Sequence, residues 1–370
     1  MAETRTAETR EIMVNMGPQH PSTHGVLRLI LELEGETVLR ATPVLGYLHR
    51  SFEKICEGWT YPQIAPFVDR NDYLAGMNNE HAYCLAVERL MGIEIPERAE
   101  YLRVIAAELC RIASHLLWFG TFLADLGAFT PFLYAFRERE MVYDLFEMLC
   151  GARMTYSYIR IGGVRNDLPE GFKEKTLEFL DHLARMMVEY EALVTKNPIF
   201  EVRTMGVGAL KPEVAVAYAA SGPMLRGSGI RWDVRKDDPY SVYDRFDFQV
   251  PVGKNGDCYD RYLVRMQEMV ESSRIVRQAL EDLPGGEIMA RVPKVIRPPQ
   301  GEVYSRVESP RGEIGVHIVS DGSPKPYRLR WRSPCFCNLQ LLPVLAPGHK
   351  VADVVAILGS IDIILGEVDR

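Results

Sequence analysis

The chain has 370 residues, 47% of them hydrophobic, with 43 basic and 50 acidic side chains and a formal net charge of −7. That length can bury a substantial core and allows roughly two or three sub-domains, while the acidic balance gives no general reason to expect nucleic acid as a partner. The apolar uncharged run Ile112 to Ala124 is interrupted by His115 and falls short of the ~20 apolar residues of a spanning helix, so membrane contact is expected to be peripheral.

The first eleven residues, MAETRTAETRE, are polar and mixed in charge. They lack an apolar h-region and are expected to form a frayed tail, with no signal peptide and a cytoplasmic location. Ile12 to Met16 is predicted as a strand. Val26 to Glu34 is predicted as a second, because Leu27, Leu29, Leu31 and Leu33 alternate with Arg28, Glu32 and Glu34. After the turn Glu34-Gly35-Glu36 comes a third, Val38 to Thr42. The loop between the first two strands, GPQHPSTHG from Gly17 to Gly25, sets His20 and His24 among prolines and glycines that stiffen the backbone. Such a loop presents side chains. The two histidines stand four apart, but Pro21 and the flanking glycines argue against a helical metal pair, and no third ligand lies nearby. A metal site, a structural loop and a proton donor to a bound ligand all remain open.

From Asn79 the period becomes helical. Ala82, Leu85, Ala86 and Leu90 mark one helix, and Leu102, Ile105, Leu109, Ile112 and Leu116 mark a long second one after Pro96. Further helical patterns cover Phe132 to Met154, Gly171 to Val194 and Tyr259 to Leu283, which together predict a bundle. The bundle ends at Leu283-Pro284-Gly285-Gly286, and a proline-rich linker follows from Val292 to Pro299. Tyr327, Leu329 and Trp331 then alternate with Arg328, Arg330 and Arg332, a strand with one apolar and one basic face. The last pattern, Val351 to Leu365, is apolar almost all round, so the C-terminus is expected to be buried in protein or in a subunit interface. The fold expected is α+β and mainly α: a tail over 1–11, an N-terminal antiparallel sheet with the histidine loop over 12–62, a helical bundle over 63–290, and β-strands with a buried terminal helix over 291–370.

Tyr73, in FVDRNDYLAGMNNEHAY, lies just ahead of a helix amid Asp69, Arg70 and Asp72, where a phenol can donate a hydrogen bond. Asp125, in LLWFGTFLADLGAFTPF, is a carboxylate in apolar sequence; if buried it needs a partner, and a histidine would serve. Arg226, Arg231, Arg235 and Lys236 read equally as a solvated basic face or a surface toward a neighbouring chain. Arg137-Glu138-Arg139-Glu140 reads as a salt-bridged helix face. The seven cysteines contain no CxxC pair and read as buried free thiols in a reducing compartment.

The segments GPQHPSTHGVLR, GYLHRSFEK, DRNDYLAGM, SHLLWFGTFLADLGAFTPF, GPMLRGSGIRWDVRK, GDCYDRYLVRMQEM and ILGSIDIILGEVDR, in this order from Met13 to Arg370, resemble the 49 kDa (D) subunit of respiratory complex I. The resemblance implies a peripheral-arm core subunit of a proton-pumping NADH:quinone oxidoreductase. Its implied partners are the cluster-bearing B subunit, with which it would form the quinone pocket, the C subunit and the membrane arm. It implies no cofactor on this chain alone, a 4Fe-4S cluster on the adjacent subunit, and menaquinone, plastoquinone or ubiquinone as substrate. Carried over by position, Tyr73 and His24 match the pair that hydrogen-bonds the quinone headgroup, Asp125 matches the carboxylate behind that histidine, and Arg50 matches an arginine beside the cluster. The alternative for Arg50 is a surface ion pair with Glu53. One position departs from the pattern: after GARM, where many members carry a histidine near the cluster, this chain has Thr155, which leaves the quinone and the electron donor, NADH or ferredoxin, open.

The same scaffold resembles the large subunit of NiFe hydrogenases. The two cysteine-pair motifs of that family align with Arg70 to Ala75 and Asp362 to Glu367, and every ligand thiol is missing there. Without thiolates a soft nickel-iron centre has nothing to hold it. A non-catalytic scaffold role in the same complex is the third reading.

Overall fold

The computed structural model describes residues 11–23 and 25–370; residues 1–10 of the expected tail, and His24, lie outside the described residues. Glu11, placed in that tail by the sequence reading, instead begins strand β1 (Glu11–Met16), which pairs antiparallel with β2 (Arg28–Glu34). β2 pairs in turn with β3 (Thr37–Val44), also antiparallel. Leu29, Leu31 and Leu33 are buried on one face of β2, as period-two alternation requires. That face packs on the C-terminal helices in one of two apolar cores.

Two helices not foreseen, α1 (Phe52–Gly58) and α2 (Tyr61–Val68), precede α3 (Gly76–Met91). Then come α4 (Glu97–Asp125) and α5 (Phe129–Cys150). Glu97 and Glu100 sit in the first turn of α4, where the helix dipole favours negative charge. Its 29 residues span about 44 Å at 1.5 Å per residue, and it is buried along most of its length as the spine of the bundle. Residues 126–128 join α4 to α5, with Gly127 at φ +92° making the reversal. Gly120 lets the two helices close up: a Cβ there would stand 3.3 Å from Phe132 Cα. α5 stops before the predicted Met154 because Gly151 turns left-handed at φ +75°.

A short hairpin, β4 (Ile159–Arg160) with β5 (Gly163–Val164), leads to α6 (Phe172–Tyr190), which is prolonged by a π-turn. Four short helices, α7 (Pro198–Thr204), α8 (Pro212–Ala217), α9 (Pro223–Gly227) and α10 (Val234–Asp237), then reach α11 (Cys258–Glu281). Next comes an antiparallel sheet of β6 (Gly301–Ser309), β7 (Gly312–Ser320) and β8 (Arg328–Arg332). Only β8 was anticipated. β6 and β7 escaped notice because Glu308 and Arg311, which look like surface residues, are buried and blur the alternation. Leu329 and Trp331 face inward, while Arg328 and Arg330 on the other face pair with Glu57 and Glu53 of α1.

The C-terminal region forms α12 (Pro334–Leu339), α13 (Leu342–Leu345), α14 (Val351–Ile361) and α15 (Leu365–Asp369). The single terminal helix expected from Val351 to Leu365 is broken by Asp362 at φ +60°. Burial of this stretch agrees with the expectation; Glu367 itself is 0% exposed. None of the helices among the described residues is long and apolar enough to cross a membrane.

Candidate active site

Tyr73 lies in the turn before α3. The turn is held by Asp72, whose carboxylate accepts from the N–H groups of Leu74 at 3.1 Å and Ala75 at 3.3 Å. Asp125 is the last residue of α4 and is half-buried, less enclosed than its apolar neighbours in sequence suggested. Both side chains line one cavity of about 280 Å³. Leu74, Leu117, Phe132, Ile363 and Ile364 supply apolar wall, and Asp362 a polar corner. The histidine loop reaches the same cavity through Pro21. Inside the loop Thr23 Oγ1 donates to the His20 carbonyl at 2.8 Å and the Ser22 N–H donates to His20 Nδ1 at 3.2 Å, so His20 serves the loop's own geometry. His24 lies outside the described residues. Burial, followed by the charge of Asp72, raises the Tyr73 pKa, so the phenol keeps its proton at neutral pH and is a donor.

Behind the cavity stands a group of charges that the sequence reading missed. Arg311, from the β6–β7 turn, donates to Asp72 Oδ2 at 2.7 Å, to Ser114 Oγ at 3.0 Å and to Asp362 Oδ1 at 3.3 Å. Arg265 of α11 lies with its guanidinium 4.3 Å from the Trp118 ring centroid and Nε 3.8 Å from Asp362 Oδ2. Glu367 and Cys335 complete the cluster, the Cys335 N–H donating to Glu367 Oε2 at 3.4 Å. All are buried. Burial and the nearby Asp72 push the Glu367 carboxyl up to about 7, and burial also raises the Cys335 thiol. The segments Arg70 to Ala75 and Asp362 to Glu367, which align with the hydrogenase ligand motifs, thus meet around a guanidinium. A cation held between two carboxylates, with no thiolate at hand, is a poor host for a second, soft cation. A charged residue separated from its partners by more than fifty positions gives no local signal, though an Arg-Gly pair at a strand turn invites the question of where the guanidinium goes.

Comparison with known proteins bears on this arrangement. The family described as respiratory-chain NADH dehydrogenase, 49 Kd subunit, matches residues 125–370. The NADH-quinone oxidoreductase D subunit of Bacillus cereus is 56% identical, over 98% of this chain and 99% of its own length. The chain belongs to the 49 kDa subunit family. The D subunit of Geobacillus thermodenitrificans is 57% identical, and the D 2 subunit of Symbiobacterium thermophilum 56%, each covering 98% of this chain and 99% of the relative. The hydrogenase reading gives way to this family on both counts, ligands and relatives.

The other positions singled out in the sequence fall as follows. Arg50 does not pair with Glu53; its Nη2 donates to the Arg70 carbonyl at 3.0 Å and its guanidinium lies 5.7 Å from the Phe67 centroid. It therefore braces the segment that carries Tyr73. His49 Nδ1 meets the Asp369 carbonyl at 2.7 Å. Arg226 and Arg235 form no surface at all: they are buried with Asp233, Glu268, Glu308 and Glu108 in an ion network, with His115 bonded to Glu268 at 2.8 Å. Arg231 is exposed beside Asp237, and Lys236 lies on the Phe248 ring. In the Arg137 to Glu140 run, the exposed Arg137 and Glu140 are salt-bridged, to Glu138 and Arg153, as a paired helix face requires, while Glu138 is itself buried and accepts also from Tyr190 and His182, an inward anchor the sequence did not suggest. The seven cysteines are free, and all but Cys337 are buried.

Proposed function

We propose that this chain is the quinone-binding core subunit of a proton-pumping NADH (or ferredoxin):quinone oxidoreductase. The observation that carries the reading is the shared cavity: Tyr73 and Asp125, some fifty residues apart in sequence, line one small, mainly apolar chamber, which suits a flat headgroup with polar oxygens. Tyr73 donates a hydrogen bond to a headgroup oxygen and stabilises charge developing there. His24 supplies a proton, for which an imidazole with an ordinary pKa of about 6.5 is suited. Asp125 orients that ring and supports its charged form. A 4Fe-4S cluster on the adjacent B subunit supplies electrons; Arg50 lies toward it, and a fixed positive charge there favours the reduced state. The C subunit and the membrane arm are the further partners, with the chain held peripherally at the cytoplasmic face of the membrane.

The phenol tests the site. Tyr73→Phe preserves the ring and removes the donor; the expected result is normal assembly with quinone turnover lowered at least roughly tenfold. Turnover unchanged in the assembled Tyr73→Phe complex would assign the chain a scaffolding role instead.

A further inference from the structure

The loop between α5 and β4 is fastened by two buried acids. Asp69 and Glu80 are both 0% exposed. Asp69 Oδ2 accepts from the Ser157 N–H at 3.0 Å. Glu80 accepts from Tyr158 N–H at 3.0 and 3.2 Å and from Ile159 N–H at 2.6 Å. Three successive amides are thus held by two carboxyl groups. The loop needs holding, because Thr155 and Ser157 adopt left-handed backbone at φ +56° and +47°, where side chains with a Cβ are disfavoured. Clamped to consecutive amides, the two carboxyls lie beside each other in the interior, and Asp69 Oδ1 is buried without a hydrogen-bond partner. Two acceptors can bond only if one carries a proton.

We infer that Asp69 and Glu80 share one proton and act together as a positioning pair for the loop that carries Thr155. Like charges brought into contact in a dry site cannot both ionise, so the pair is one negative charge at neutral pH and becomes two repelling charges as pH rises. Burial raises both acids, Glu80 the more. The groups facing the pair are Arg70, 3.8 Å from Asp69 Oδ2, Arg160 of β4, the thiols of Cys84 on α3, Cys110 on α4 and Cys150 on α5, and the phenols of Tyr156 and Tyr158. Burial keeps those thiols and phenols neutral. The two arginines are left as the positive charges, and they stabilise one carboxylate without accommodating two. On the reading of the previous subsection, this loop faces the cluster-bearing subunit at the position where Thr155 replaces a histidine, so the pair places a titratable proton behind a surface residue that has none.

The test is amide hydrogen exchange in the assembled complex, with rates corrected for intrinsic pH dependence. Protection at Ser157, Tyr158 and Ile159 is expected to fall at least tenfold as pH is raised above neutrality, while amides in the middle of α4 hold. Glu80→Gln, whose amide donates to Asp69 while its carbonyl accepts from the loop, is expected to keep full protection throughout and lose the pH dependence. Glu80→Ala lowers protection at every pH. Protection of the loop that does not vary with pH in the unaltered complex, or a Glu80→Gln loop that still titrates, overturns the shared proton. The readout is independent of quinone turnover, so a failed Tyr73→Phe test would remove the quinone site and leave the clamp standing.

Discussion

At the scale of single residues, the chain buries far more charge than its surface-like composition suggests, and the protonation of that charge is set by location. Glu308 and Glu367, each pushed up to about 7 with burial the largest cause, hold protons in the folded chain that the unfolded chain releases from about 4.5 upward. Their contribution to stability is therefore complete below about pH 4.5 and is lost as pH rises through about 7. Glu108 and Asp233 behave oppositely. Arginines that outweigh burial hold both at about 2, so their contribution is lost on acidification below the ordinary carboxylate range. Glu367→Gln is expected to flatten the decline in melting temperature between about pH 5 and 7; an unaltered decline would show that Glu367 is already ionised there. Asp125→Asn tests a different role. It is expected to leave the fold intact and to lower both quinone reduction and proton translocation, and normal values of both would detach Asp125 from the role of supporting the charged histidine.

Among the elements, the α4–α5 hairpin does most to shape the cavity, since Leu117 and Asp125 come from one helix and Phe132 from the other. Their spacing rests on Gly120, whose Cα faces Phe132 and Ala135. Gly120→Val would drive a branched side chain into that crossing and is expected to cost about 1–3 kcal/mol through overpacking, read as a lower melting temperature and a displaced Phe132 in a structure of the variant. These helices were legible in the sequence because periodic apolar residues recur over many turns. α1, α2 and the β6–β7 hairpin were not, because short elements carry few repeats and the hairpin's charged residues face inward to meet Asp72 and Arg226.

For the whole molecule, the C-terminus ties distant parts together. Asp369 accepts from the Gly46 and Leu48 N–H groups at 2.9 and 2.7 Å, the Arg370 carbonyl accepts from Arg50 N–H at 3.2 Å, and Arg370 Nη1 donates to the Trp331 carbonyl at 2.8 Å. Removing Asp369 and Arg370 is expected to expose the 46–50 segment to proteolysis while the α4–α5 hairpin keeps its exchange protection; resistance equal to that of the intact chain would show that other contacts suffice.

Periodicity alone was enough for the mainly helical class, the first sheet and the long helices, since burial of one face is a local demand repeated every two or three to four residues. Tyr73 and Asp125 could be named from their types and settings, but that they border one chamber depends on how α4 folds back toward the turn before α3. The fate of Arg226, Arg235 and Arg311 was invisible in any short window. Whether a guanidinium meets water or carboxylates on strands and helices as far off as Asp72 is from Arg311 is settled when the chain packs, because desolvation and pairing are properties of the assembled interior more than of a residue's neighbours in sequence.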